Sequence, residues 1–144
     1  MTAETQLSRP PPVVSLFNAS DDTVEMVKRM LETTGICCLT TCRFADLRKG
    51  NIDFNAYLTT CNPAVVIFDI SPPYFENWKF YKTMRDSIGM EKRGLVLTTT
   101  NKLRLDEVIG NDSNAIEIVG KPYDLEQINT AIEKALRKVE AASN

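Results

Sequence analysis

The chain has 144 residues and a formal charge of −2, with 43% hydrophobic and 25% charged residues. These values are typical of one soluble globular domain, and so small a net charge gives no general attraction to nucleic acid or to an anionic membrane. No histidine is present, which excludes histidine acid/base catalysis, a Ser–His–Asp triad, a Cys₂His₂ zinc site and a phosphohistidine carrier within this chain. Its chemistry must therefore use carboxylates, lysines, hydroxyls or thiols.

Features of secreted and membrane-spanning proteins are missing from the sequence. Residues 1 to 8 are polar, unlike a signal peptide, and no stretch approaches the roughly 18 to 20 consecutive apolar residues of a membrane span. The four cysteines, Cys37, Cys38, Cys42 and Cys61, form no C-x-x-C pair and fit no recognised thiol pattern. We interpret them as small buried hydrophobic residues in a reducing compartment, and we expect a cytoplasmic protein.

One domain accounts for nearly all of the chain. Residues 1 to 12 end in three prolines, which predicts a disordered N-terminal arm. We expect the domain to span residues 13 to 139 and residues 140 to 144 to form a C-terminal tail.

The first half of the domain is predicted to begin with a strand, a helix and a second strand. These are assigned to Val13–Phe17, to residues 20 to 32 with Gly35 ending the helix, and to Ile36–Leu39. Between Thr41 and Asn62 the pattern is weak, and it indicates one helix late in the stretch, with Gly50-Asn51 breaking any earlier one.

Strands and helices alternate through the second half as well. The predicted elements are a fully apolar strand at residues 64 to 68 that ends at Asp69, a helix near 76 to 87, a strand at 95 to 97 followed by three threonines, a short helix near 103 to 109, a strand at 115 to 119, and a last helix after Asp124. Five strand–helix repeats favour a parallel sheet covered by helices on both faces.

In such a sheet, ligands bind beyond the carboxyl ends of the strands. Those ends carry Asp69 after the third strand, Thr98-Thr99 after the fourth and Lys121 after the fifth. An aspartate placed directly after buried apolar residues is costly unless its site is solvated or useful. Each residue alone is explained by loop structure, but together they predict a site at one edge of the sheet.

This arrangement resembles the receiver domain of bacterial two-component response regulators over residues 13 to 139. The resemblance lies in Val65-Val66-Ile67-Phe68-Asp69 with Pro73 four residues later, in the strand from Leu95 to Thr99, and in Lys121-Pro122-Tyr123, which is similar to the family's Lys-Pro-aromatic signature. It implies a flavodoxin-like (βα)₅ three-layer α/β sandwich with a five-stranded parallel sheet, and typically a cis Lys-Pro bond.

The resemblance implies signalling rather than enzymatic catalysis. Asp69 would accept a phosphoryl group from a histidine kinase or a phosphotransfer protein, and Lys121 would pair with the phosphoryl oxygens. A threonine hydroxyl would contact the same group and repack the surface read by a downstream protein. Thr98 is the first choice because it follows the apolar run directly, while Thr99 has the separation from Lys121 usual in the family.

Receiver domains hold Mg²⁺ with the acceptor aspartate and two acids after the first strand, and here those two positions are Asn18 and Ala19. Mg²⁺ relies on carboxylates, so Asp21 and Asp22 are the nearest substitutes. We interpret those two aspartates instead as the first turn of a helix, where negative charge favours the helix dipole.

Further departures concern the backbone and the surface. Asn77 stands where the family usually has glycine, and asparagine tolerates a positive φ. Ile118 replaces the common aromatic residue three positions before Lys121, and the segment from Arg43 to Ile52 is longer than usual. The cluster of aromatics Tyr74, Phe75, Trp78, Phe80 and Tyr81 is interpreted mainly as core.

Three hypotheses remain open. The chain is a stand-alone receiver in a phosphorelay, or a metal-independent pseudo-receiver that acts as a protein-interaction module, or a small flavodoxin-like enzyme or nucleotide binder. The third is disfavoured because Asn18-Ala19-Ser20-Asp21 contains no glycine-rich phosphate loop. We expect no nucleic-acid binding and no membrane partner, and the sequence leaves a homodimer open.

Overall fold

The computed structural model describes residues 12–17, 24–25, 27–29, 32, 38–110, 116–121 and 125–143. The predicted N-terminal arm therefore lies outside the described residues except for Pro12. The same holds for Asn18, Ala19, Asp21 and Asp22, and for Pro122, whose peptide bond the resemblance expects to be cis.

Strands and helices alternate along the chain. The strands are β1 (Val13–Phe17), β2 (Cys38–Cys42), β3 (Val65–Ile70), β4 (Gly94–Thr99) and β5 (Glu117–Gly120). The helices are α1 (Phe44–Arg48), α2 (Phe54–Cys61), α3 (Tyr74–Arg85), α4 (Lys102–Ile109) and α5 (Leu125–Ser143), with a short 3₁₀ helix at Ile88–Met90. Residues 24, 25, 27 to 29 and 32 are also helical.

All five strands pair in parallel in the order β2-β1-β3-β4-β5. This is the flavodoxin-like order, in which the chain reverses direction across the sheet between β1 and β3. Residues 65 to 68 of β3 are buried, as expected for a central strand covered on both faces. The predicted fold class is therefore confirmed.

Side chains that alternate along the strands form two separate cores. On one face, Val65 and Ile67 pack with Val96 and with the α5 residues Ile128 and Ile132. The other face packs against α2, α3 and α4, and its largest members are Phe17, Phe68, Trp78, Tyr81 and Leu105. Together the two cores give the helix–sheet–helix layering predicted from the sequence.

Near the N-terminal half, the elements differ from the sequence-based boundaries. β2 continues to Cys42, beyond the predicted end at Leu39, because pairing with β1 continues as far as Phe17 opposite Cys42. The predicted start at Ile36 lies outside the described residues. The Ser15 and Thr40 hydroxyls lie 2.6 Å apart across this pair. Pairing with β1 thus keeps residues as far as Cys42 in a strand although their own hydrophobic pattern is weak.

The helix α1 was not predicted. Gly50 has a φ of 79°, so it ends a turn after Arg48 rather than preventing a helix before it. Leu47 is buried in the core beside α2, which anchors this short helix despite its five residues. At the other end of the chain, α5 continues to Ser143, so residues 140 to 143 are helical where the sequence predicted a tail.

The aromatic cluster is only partly core. Trp78 and Tyr81 are buried, as their spacing on α3 predicted, but Phe75 is 62% exposed. Cys42 is buried and Cys61 half-buried, and both are free thiols. Among the helices that the structure describes, none is long and apolar enough to cross a bilayer.

Candidate functional site

Asp69 is the fifth residue of β3, after four buried apolar residues. Because side chains alternate along a strand, Asp69 lies on the same sheet face as Val65 and Ile67, which pack against α5. Its side chain is 9% exposed. A carboxylate this well buried needs hydrogen-bond or charge partners, and the neighbouring strands supply them.

Thr98 is the first of these partners. It lies beside Asp69 in the register of β3 and β4, and its Oγ1 donates a hydrogen bond to Asp69 Oδ1 at 2.6 Å. Thr99 projects from the opposite face, and its Oγ1 accepts a hydrogen bond from the Asn101 backbone N–H at 3.3 Å. Of the two predicted threonines, the structure brings Thr98 to the carboxylate.

Lys121 is the second partner and follows the last residue of β5. Its backbone N–H donates to the Thr99 carbonyl at 2.6 Å, which continues the pairing of β4 and β5 by one residue. From this position Nζ reaches Asp69 Oδ1 at 2.7 Å. Thr98 and Lys121 therefore converge on one carboxylate oxygen of Asp69.

Both donors meet the same oxygen of Asp69. Within the described part of the chain, no hydrogen-bond donor contacts Oδ2. Such an arrangement holds the carboxylate in one orientation and offsets its charge with an ammonium group. Burial and then the nearby Asp69 charge raise the pKa of Tyr81, so this phenol stays neutral beside the site.

The loop that follows β3 is fixed by Asn77. Its Nδ2 donates to the Ser71 carbonyl at 2.7 Å, and its Oδ1 accepts from Arg48 Nη1 at 3.3 Å. Asn77 is buried within α3, so the left-handed conformation considered for this position is not used. The role of its amide, and the approach of Arg48 from α1, were both missed by the sequence analysis. An asparagine six residues after Ser71, with two prolines between them, was the available signal.

Of the residues considered for Mg²⁺, the described part of the chain includes only Asp69. This cation binds oxygen ligands and favours carboxylates, but Asp69 Oδ1 already faces an ammonium group and the Ser71 carbonyl accepts the Asn77 amide. Across the described ranges no three acidic or thiol side chains gather as a metal site would require. Asn18, Ala19, Asp21 and Asp22, the positions considered for the metal, lie outside those ranges.

Ile118 lies in β5, half-buried opposite Leu97 of β4. An aliphatic side chain here has no hydroxyl or ring with which to report on Thr98. Near the same edge of the sheet, the Tyr74 and Thr100 hydroxyls lie 3.2 Å apart, which links the start of α3 to the loop after β4.

Comparison with known proteins identifies the fold. No protein-family model matches the chain. Response regulator Rre1 of Synechocystis sp. is 24% identical over 99 residues, which cover 69% of this chain and 43% of that protein. The chain thus spans less than half the length of this curated relative.

Solved structures agree with that similarity. The chemotaxis protein CheY4 of Vibrio cholerae superposes with a TM-score of 0.67 at 21% identity, covering 88% of this chain and 99% of that one. A transiently phosphorylated switch in bacterial signal transduction superposes with a TM-score of 0.66 at 19% identity, covering 90% of this chain and 97% of that one. The chain is therefore similar to response regulators of two-component signalling, and its fold is that of their receiver domain.

Proposed function

We propose that this chain acts as a receiver domain that accepts a phosphoryl group on Asp69 from a cytoplasmic histidine kinase or phosphotransfer protein. The observation that carries the proposal is the convergence of Thr98 and Lys121 on one oxygen of a buried aspartate. A threonine that only formed a turn and a lysine that was only solvated would not be expected to lie 2.6 and 2.7 Å from the same Asp69 oxygen.

The reaction is a phosphoryl transfer between two side chains. Asp69 Oδ2 attacks phosphorus, a new O–P bond forms, and the P–N bond to the donor imidazole breaks. The electron pair of the broken bond stays on the imidazole nitrogen. This chain contributes the nucleophile, and the partner contributes the histidine that this chain lacks.

Lys121 and Thr98 have complementary roles in the proposal. The Lys121 ammonium reduces the repulsion between the carboxylate and the incoming phosphoryl oxygens, and then pairs with those oxygens in the product. Thr98 releases Asp69 Oδ1 and donates its hydrogen bond to the phosphoryl group. Because Thr98 is completely buried in β4, that exchange shifts the packing between β4 and its neighbours.

A metal-independent interaction module is the second candidate. It is favoured by the Lys121–Asp69 ion pair, which already neutralises the acceptor within the described residues, and by the neutral residues Asn18 and Ala19 in the sequence. In this alternative the ion pair is a structural feature, and a partner protein recognises one fixed surface.

Beryllofluoride, an analogue of the phosphoryl group, distinguishes the two functions. We expect it to change the fluorescence of Trp78, the only tryptophan of the chain, because α3 follows directly from the loop after Asp69. The titration is done with Mg²⁺ and again with EDTA. A response in EDTA assigns the neutralising role to Lys121, and a response with Mg²⁺ alone assigns it to the metal.

The variant Asp69→Asn is the matched control, since it keeps the size of the side chain and removes its charge. A response that Asp69→Asn abolishes supports the receiver. If beryllofluoride changes nothing at millimolar Mg²⁺, the receiver proposal is wrong and the interaction module is supported.

A further inference from the structure

The segment between β2 and α2 contacts the loop after the acceptor strand through two side chains. Arg48, the last residue of α1, donates from Nη1 to Asn77 Oδ1 at 3.3 Å, and Asn77 Nδ2 donates to the Ser71 carbonyl at 2.7 Å. The Arg48 guanidinium also lies 5.9 Å from the centre of the Phe80 ring. Arg48, 29 residues before Asn77, thus joins Asn77 and Ser71 in one continuous chain of hydrogen bonds.

Asn77 contacts both ends of the loop between β3 and α3. Its backbone N–H donates to the Pro73 carbonyl at 3.1 Å, while its side chain holds the Ser71 carbonyl at the other end. Pro72 and Pro73 have no N–H groups, so they cannot donate hydrogen bonds themselves. Asn77 is 6% exposed, which means that water cannot easily replace its amide.

Arg48 and the Ser71 carbonyl both favour the same orientation of the Asn77 amide. A guanidinium group only donates hydrogen bonds, so the atom that faces it must be Oδ1. That orientation turns Nδ2 toward the Ser71 carbonyl. Without Arg48, the buried Oδ1 loses a charged donor, and the preference for this orientation weakens.

The loop is close enough to the acceptor for this orientation to matter. A single residue, Ile70, separates Ser71 from Asp69, and its side chain is buried in the core. A displacement of Ser71 therefore moves the end of β3 and the carboxylate on it. Group transfer is sensitive to such displacements because the reacting atoms must be aligned.

We propose that Arg48 and Asn77 are positioning residues for the phosphorylation of Asp69, and that the segment from Arg43 to Ile52 sets the reactivity of the site through them. The inference rests on the proposed function. It assigns a role to a segment that the sequence marks only as longer than usual.

The test is a double-mutant cycle of Arg48→Met, Asn77→Ala and the double variant. Lys49→Met is the matched control, because it removes the same charge from the adjacent exposed position. Acetyl phosphate is the donor, and the rate is read from intact mass. Hydrogen exchange of peptides covering residues 71 to 80 reports on the loop, and the free energy of unfolding is measured for every variant.

We expect each single variant to slow phosphorylation by about 3- to 30-fold and to speed exchange in the loop. The double variant is no slower than Asn77→Ala, because Arg48 acts through Asn77, and Lys49→Met stays within about twofold of the wild type. Arg48→Lys restores part of the rate, since an ammonium group also donates to Oδ1.

The outcomes distinguish a failure of the positioning role from a failure of the proposed phosphorylation of Asp69. If Arg48→Met is phosphorylated as fast as the wild type, the positioning role is wrong and Asp69 remains the acceptor. Equal slowing by Lys49→Met overturns it as well, because the effect is then one of charge alone. A wild-type chain that is never phosphorylated overturns the proposed function itself, whatever the loop exchange shows.

Discussion

Asp69 and Lys121 form an ion pair whose side chains are 9% and 19% exposed. In a receiver with a cluster of acids, removing the acceptor charge relieves repulsion. Here the nearest described charge is an ammonium group, so the carboxylate stabilises the fold. The energetic role of the same residue is therefore decided by its neighbours.

We predict that Asp69→Asn lowers the free energy of unfolding by about 1 to 3 kcal/mol, because it leaves the Lys121 ammonium without its counter-charge. Lys121→Met lowers it as well, and the double variant is more stable than the sum of the two effects implies. Urea unfolding of the four proteins measures this coupling. Effects that add to within about 0.5 kcal/mol would show that the pair makes no net contribution.

Cys42 is a second residue whose environment sets its chemistry. Burial, and then the charges of Asp46 and Cys61, raise the pKa of the Cys42 thiol from 9.0 to about 11. The folded chain therefore keeps this proton at pH values where the unfolded chain loses it. Since the folded state binds more protons between the two pKa values, stability falls as the pH rises through that interval and is unaffected below it.

The expected result is a fall in the free energy of unfolding between about pH 8 and pH 10.5, which is smaller in Cys42→Ala. Tyr57 and Tyr81 add to the fall in both proteins, because burial raises the pKa of each phenol. Urea unfolding at the two pH values gives the comparison. An identical fall in both proteins would mean that Cys42 titrates normally in the fold.

At the scale of elements, the site depends on how closely α5 approaches the sheet. Gly94 begins β4 at a point where a Cβ atom would lie 2.8 Å from the Ala135 Cβ and 3.0 Å from its backbone carbonyl. That contact is too short for any side chain, and the α5 backbone cannot yield as a flexible side chain would. The glycine therefore sets the distance between α5 and the strand that carries Thr98.

We predict that Gly94→Ala destabilises the fold by roughly 1 to 3 kcal/mol. Gly120→Ala is the control, because a Cβ at that position would meet only the Lys102 Cβ at an ordinary 3.6 Å. Thermal unfolding of both variants provides the measurement. A loss of stability as large in Gly120→Ala as in Gly94→Ala would contradict the packing explanation.

For the molecule as a whole, the pattern of the sequence predicted the sheet because β3 and β4 are continuous apolar runs that need two covering layers. The pattern also predicted that Asp69, Lys121 and one of two threonines would meet. It preferred Thr98 to Thr99 because Thr98 follows the apolar run directly. The register of β3 against β4 places Thr98 beside Asp69, at a hydrogen-bond distance that the pattern of one strand alone does not give.

Longer-range contacts explain what else was missed. The short helix α1 is held by the burial of Leu47 and by Arg48, whose partner Asn77 is 29 residues away. Phe75 was expected to share a buried face with Trp78, but it lies in the first turn of α3 and is largely exposed. Hydrophobic periodicity predicts which face of a helix is buried on average, and residues in the first or last turn often differ from it.

The central claim is that Asp69 accepts a phosphoryl group, and the most direct test is to find that group on that residue. The full chain is incubated with acetyl phosphate and Mg²⁺, its intact mass is recorded, and the acyl phosphate is reduced with borohydride so that peptide mapping locates it. We predict the addition of one phosphoryl group, mapped to Asp69 and absent in Asp69→Asn. An unchanged mass, or a group on any other residue, would contradict the account.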